Sequence, residues 1–211
     1  LSLSIEEIAC PDEGLRLYLC RFSGNFSEQD PVFSSLAVPE QLKHPEKIKE
    51  YLASRLLASR YLPGGIQGLQ FTEKGKPYCQ GFRGISLSHT LERVCLLTSD
   101  FWDCGTDIEP VSEKAHRIGR KFILEEERKL VDALFKKNSG ATLVWSFKES
   151  CYKLYGERGL DYLKDIRLVG VNEADERLWG YYKSPGGQVW VSGFFRFFEG
   201  RVLVYVIPQD K

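Results

Sequence analysis

Methionine is absent from all 211 residues, position 1 included. For a core of this size that implies either a processed chain or methionines that the sequence does not represent. No Cys-x-x-Cys pair occurs among the six cysteines (Cys10, Cys20, Cys79, Cys95, Cys104, Cys151), and the three histidines (His44, His89, His116) have no zinc-ligand spacing. A zinc module is therefore excluded, and free, mostly buried thiols in a reducing compartment are expected. Net charge is absent too, 29 basic residues balancing 29 acidic ones, which removes the concentrated basic footprint that a nucleic-acid partner calls for. No stretch approaches the apolar length of a membrane span. The opening Leu-Ser-Leu-Ser-Ile-Glu-Glu sets acids where a signal peptide has its basic segment. A cytoplasmic protein with no membrane partner is expected. With 43% hydrophobic and 13% aromatic residues, the chain can bury a substantial core as one large domain or two small ones.

Residues 15–22 alternate Leu15, Leu17 and Leu19 with Arg16, Tyr18 and Cys20, the period of a half-buried strand. Residues 45–62 read as an amphipathic helix that begins at Pro45 and stops at Pro63-Gly64-Gly65. Its apolar set is Ile48, Tyr51, Leu52, Leu56 and Leu57, with Lys49, Arg55 and Arg60 on the flanks. Strands are expected at 84–88, at 93–98 and on the approach to Asp107, and a long helical region opens at Ser112 or Glu113. Residues 143–147 lead into a helix that carries Lys148 and Lys153 and ends near Gly156. The last third, at 166–171, 178–183, 188–198 and 201–207, reads as an antiparallel meander with turns at Pro185-Gly186-Gly187 and Glu199-Gly200. Each half thus offers a small, mainly antiparallel sheet and a long helix. The expected class is α+β with a pseudo-twofold duplication, divided into residues 1–104 and 105–211 with the site at their interface.

Asp107 and Glu109 share one face if their segment is a strand, and Glu149 and Lys153 share one face if theirs is a helix. Lys148, next to Glu149, projects on another azimuth. Hard carboxylate oxygens suit Mg²⁺, which takes few protein ligands and completes its shell with water and substrate phosphates. Asp107, Glu109 and Glu149 meet that demand. Three carboxylates around one Mg²⁺ leave the locality negative, so an anionic substrate needs neighbouring cations. Lys148, Lys153, Lys76 and one or both of Lys49 and Arg55 are available. The combination points to chemistry at phosphorus. A Ser-His-Asp hydrolase from Ser88, His89 and Asp107 is disfavoured, because no G-x-S-x-G elbow is present and adjacent Ser and His side chains rarely face each other.

Four segments follow in order: Gly75-Lys76-Pro77-Tyr78, Ile85-Ser86-Leu87-Ser88-His89-Thr90, Gly105-Thr106-Asp107-Ile108-Glu109 and Trp145-Ser146-Phe147-Lys148-Glu149-Ser150-Cys151-Tyr152-Lys153. The series resembles the 4′-phosphopantetheinyl transferase superfamily, in its longer, monomeric, surfactin-synthetase-activating branch. Thr106, Ser150 and Cys151 depart from the usual family residues without removing a chemical group. The resemblance implies Mg²⁺-dependent transfer of the phosphopantetheine arm of coenzyme A to a serine of an acyl or peptidyl carrier protein, releasing adenosine 3′,5′-bisphosphate. It implies Asp107, Glu109 and Glu149 at the metal, and Glu149 and Lys153 as the catalytic pair. Lys76, Ser88 and His89, with Lys148 and one of Lys49 and Arg55, would contact the coenzyme. A basic run of His116, Arg117, Arg120 and Lys121 beside Phe122 would face the acidic helix of the carrier; the alternative is an ordinary amphipathic helix with Ile118, Phe122 and Ile123 in the core. The competing reading is a non-catalytic module of the same fold that binds coenzyme A or a carrier; a metal-dependent phosphohydrolase is a third.

Overall fold

The computed structural model describes residues 2–23, 33 and 36–209. A four-stranded antiparallel sheet has the order β1-β2-β6-β5, from β1 (Ser2–Ile8), β2 (Leu15–Ser23), β5 (Gly84–Thr90) and β6 (Arg93–Ser99). A five-stranded antiparallel sheet has the order β7-β11-β10-β9-β8, from β7 (Gly105–Pro110), β8 (Ile166–Asn172), β9 (Arg177–Ser184), β10 (Gly187–Phe198) and β11 (Arg201–Pro208). A two-stranded hairpin, β3 (Gln70–Phe71) and β4 (Pro77–Tyr78), stands apart. The helices are α1 (Pro45–Tyr61), α2 (Glu113–Ile118), α3 (Glu125–Asp132) and α4 (Lys137–Tyr155). Among the described residues no helix is long and apolar enough to cross a membrane.

The period of β2 explains the layering. Tyr18, Cys20 and Phe22 join Leu52, Leu56 and Leu57 of α1 in one core, while Leu15, Leu17 and Leu19 on the opposite face meet Ile108, Phe194, Leu203 and Tyr205 of the second sheet. The outer face of the second sheet packs on α4 through Phe147, Cys151, Val202 and Val204. The result is helix, sheet, sheet, helix. Leu17, Leu19, Leu97, Ile108 and Leu203 are wholly buried between the sheets, each contributing at most about 1.5–3 kcal/mol.

Where the sheets meet edge to edge, side chains replace a ladder. Ile85 and Leu87 of β5 pack toward α1, so Ser86 and Ser88 turn the other way. The Thr106 N–H donates to Ser86 Oγ at 2.9 Å and the Ile108 N–H to Ser88 Oγ at 3.3 Å. Two serines at strand period thus satisfy two N–H groups that β7 would otherwise leave unpaired.

β1 is a further strand, with no counterpart among the expected elements. The helical region that opens after Ser112 is segmented: Ser112 Oγ caps α2 by accepting from the Ala115 N–H, and a 3₁₀ turn at Gly119–Lys121 follows. The break lets Phe122 and Ile123 enter the core. Residues 143–147 are no lead-in, because α4 already starts at Lys137. Its long buried run, from Gly140 to Val144 and on through Phe147, reflects a helix covered by the sheet on one side and by α2 and α3 on another.

Candidate active site

The site begins with one close approach. A Cβ at Gly105 would lie 1.9 Å from the Ser150 carbonyl oxygen and 2.8 Å from the Leu154 nitrogen, so only glycine lets α4 settle on β7 at this distance. Alternation along β7 then directs Asp107 and Glu109 to the side of α4. Lys153, in the last turn of α4, donates to Asp107 Oδ1 at 2.7 Å, to Ser88 Oγ at 2.8 Å and to the Thr106 carbonyl at 3.1 Å. All three ammonium donors are used. Ser88 Oγ in turn donates to Asp107 Oδ1 at 2.9 Å. Burial alone would lower the Lys153 pKa, but the Asp107 charge and hydrogen bond outweigh it, and Lys153 is held above the ordinary lysine value. Its side chain remains 27% exposed against 4% for Asp107, so the pair opens to the cleft on the lysine side.

The two glutamates are held by aromatic donors. Trp145 Nε1 donates to Glu109 at 3.4 Å, and Tyr162 Oη donates to Glu149 at 3.0 Å. Burial, followed by the charge of Asp107, pushes Glu109 up to about 7 and raises Glu149 as well. Asp107 Oδ2 is buried and has no hydrogen-bond partner, an expensive condition for a carboxylate oxygen. Among the described residues no group of three or more His, Cys, Asp or Glu is placed to hold a metal ion. The donor set nevertheless fits a hard cation that takes one or two carboxylates and fills its shell from water and phosphates. Asp107 Oδ2 supplies the open oxygen, and a cation would offset the burial and the Asp107 charge that raise both glutamates.

Two cavities flank this cluster and share Phe71 and Leu87. The first, of about 310 Å³, is lined by Lys47, Glu50, Tyr51, Ser54 and Arg55 of α1 together with Ser88 and His89. The second, of about 420 Å³, is lined by Lys74, Lys76, Tyr152, Lys153, Gly156 and Arg158. Basic side chains thus border both sides of the Asp107–Lys153 pair. Arg55 lies over the rings of Tyr51, at 4.6 Å, and Phe71, at 5.4 Å, a geometry that orients the guanidinium. Lys49 is outside the lining and pairs with Glu46 at 3.1 Å, which favours Arg55 of the two. Lys76 borders the second cavity while donating to the Leu154 carbonyl at 2.7 Å and to Asp103 at 3.1 Å. Its aliphatic stem packs on Gly156, whose φ of +71° closes α4. His89 Nε2 lies 3.4 Å from Glu50. Burial lowers the imidazole pKa and Glu50 opposes that shift.

Lys148, expected among the coenzyme contacts, stands apart from both cavities. Its side chain is wholly buried, donating to Glu127 at 2.9 Å and to the Tyr162 carbonyl at 2.8 Å, and it faces neither cavity. Burial lowers its pKa and the Glu127 charge opposes this. Thr106 also finds a partner, donating to the Val204 carbonyl at 2.8 Å on the side of β7 away from Asp107. The sequence reading passed over Lys47, Glu50, Lys74, Arg158 and Tyr162. Lys47, Tyr51, Ser54 and Arg55 have the spacing of one helix face, so a signal for Lys47 existed. Tyr162 lies in a loop and had none.

Residues 103–183 match the family model of the 4′-phosphopantetheinyl transferase superfamily. The match covers less than half of the chain. It spans β7 to β9 and contains Asp107, Glu109, Glu149 and Lys153; β1 to β6 and α1 lie outside it. No curated protein matches the chain.

Proposed function

We propose that this protein is a 4′-phosphopantetheinyl transferase that moves the phosphopantetheine arm of coenzyme A to a serine of an acyl or peptidyl carrier protein. The observation that carries this reading is the Ser88–Asp107–Lys153 cluster, with a buried unpartnered carboxylate oxygen, set between two cavities bordered by lysines and arginines, one lined by Ser88 and the other by Lys153. The carrier serine oxygen forms a bond to the phosphorus that bears the pantetheine. The bond from that phosphorus to the bridging oxygen breaks, and adenosine 3′,5′-bisphosphate leaves. Glu149 is the group to accept the serine proton, since burial has already raised its affinity for one. Lys153 balances charge on the phosphates, and Ser88, His89, Lys76 and Arg55 line their path. Mg²⁺, held by Asp107 with Glu109 and Glu149, would draw charge from the pyrophosphate.

The same reading takes the chain as two halves joined at residues 104 and 105, related by duplication. The parallel of α1 on one sheet and α4 on the other supports it. One chain supplies both cavities, in keeping with a monomer of the surfactin-synthetase-activating branch. Six free thiols are in keeping with a reducing cytoplasm. Arg117, Arg120 and Lys121 are exposed and suit an acidic carrier helix, whereas Phe122 is buried against Trp145 and belongs to the core. The test is to incubate the protein with apo carriers, coenzyme A and Mg²⁺ and to weigh the carriers. A phosphopantetheine mass gain is expected. Retained coenzyme binding with no gain on several carriers would favour a binding module, and coenzyme cleavage without a carrier would favour a phosphohydrolase.

A further inference from the structure

We infer that Tyr162 is a positioning residue for Glu149, and that Lys148 holds Tyr162 in place from the core. The inference rests on reading Glu149 as part of the reaction centre. Tyr162 belongs to the segment between α4 and β8, where no ladder or helix fixes a side chain. Four contacts do so instead. Its carbonyl accepts from Lys148 Nζ at 2.8 Å. One face of its ring stacks on Trp145 at 5.4 Å and 19°, and it stacks on Tyr152 at 5.6 Å and 23°. Its hydroxyl donates to Glu149 Oε1 at 3.0 Å.

Trp145, Glu149 and Tyr152 fall on one face of α4 by helical spacing, so the Tyr162 ring enters between two aromatics with its hydroxyl over the carboxylate between them. Lys148 is anchored in turn. Glu127 accepts from Lys148 Nζ at 2.9 Å, from the Leu124 N–H at 2.8 Å and from the Leu168 N–H at 2.8 Å. A wholly buried ion pair tied to α3 and β8 therefore sets the height of the loop over α4. Glutamate has three side-chain torsions, and fixing them costs up to about 2 kcal/mol. Tyr162 fixes one oxygen of Glu149 before substrate arrives and leaves the other free. Trp145 does the same for Glu109 from the same stack.

The test uses the full chain. Tyr162→Phe keeps the ring and removes the hydroxyl. It is expected to lower kcat about tenfold, to leave KM for coenzyme A and carrier within about twofold, and to weaken calorimetric Mg²⁺ binding about tenfold. The double variant Glu127→Met with Lys148→Met removes the buried pair without orphaning a charge and is expected to lose as much. Adding Tyr162→Phe to it should then cost less than the product of the two losses, because both act on one contact. Unchanged kcat and Mg²⁺ affinity in Tyr162→Phe would overturn the inference, as would multiplicative losses. If the double variant fails to fold, Tyr162→Phe decides alone. A wild-type protein that transfers nothing to any carrier overturns the proposed function instead, and the Mg²⁺ titration still decides the role of Tyr162.

Discussion

Lys148 and Lys153 lie on the same helix, each paired with a carboxylate at hydrogen-bond distance, yet they serve opposite ends. Lys148 and Glu127 are both wholly excluded from solvent. Every oxygen of Glu127 is occupied, one by Lys148 and the Leu124 N–H, the other by the Leu168 N–H. Lys153 and Asp107 leave the lysine partly exposed and one aspartate oxygen without a partner. A saturated pair organises its surroundings; an unsaturated pair is set up to receive something. Motif spacing treats the two lysines alike, and the partner across the fold separates them.

The largest expected effect tests the closed pair. Lys148→Met alone strands the Glu127 charge in the core and should cost about 3–5 kcal/mol in denaturant unfolding. The double variant with Glu127→Met should recover most of that. A single variant as stable as the wild type would break the contrast. Asp107→Ala tests the open pair: transfer should fall by about a hundredfold or more and Mg²⁺-dependent coenzyme binding should weaken, with a much smaller stability loss, because Lys153 keeps Ser88, the Thr106 carbonyl and water. A normal metal dependence in that variant would end the case for Asp107 at the metal. Lys153→Ala should reduce turnover more than affinity; an effect on affinity alone would make it a binding residue.

The pH dependence follows from Glu109. Burial and Asp107 hold its carboxyl protonated up to about 7, so below that pH a proton competes with a cation for it. Mg²⁺ affinity should rise between about pH 6 and about pH 8, and Glu109→Gln should flatten the rise in a calorimetric titration. The smallest effect concerns the cleft wall. Arg55→Ala should weaken coenzyme binding severalfold, about 1 kcal/mol, while Lys49→Ala should leave it unchanged. Equal losses would mean that the cavity does not separate them.

Local pattern made much of the fold legible. The alternation in β2, the stop at Pro63-Gly64-Gly65 and the Glu199-Gly200 turn, where both residues take positive φ, are properties of a few adjacent residues. The hairpin of β3 and β4 was not legible, because two residues per strand carry no period. The break between α2 and α3 was missed because Gly119 is tolerated in a helix on local grounds, and what bends the chain there is the core taking Phe122 and Ile123. Asp107, Glu109, Glu149 and Lys153 stood out through spacing, and the order of the four motifs, with the resemblance it carries, gave them their expected roles. Tyr162 did not, since its place depends on a carbonyl contact from Lys148 and on rings a loop away.

Alone, the sequence determined the two periods of its strands and helices and the order of its acidic and basic motifs, because backbone geometry turns spacing into a shared face. The tertiary structure decided which charge meets which. Lys148 became a buried staple and Lys153 a cleft residue because β7 closes on α4 at Gly105 while Glu127 arrives from α3. Burial and pairing are set by what packs from across the fold, and no local spacing encodes that.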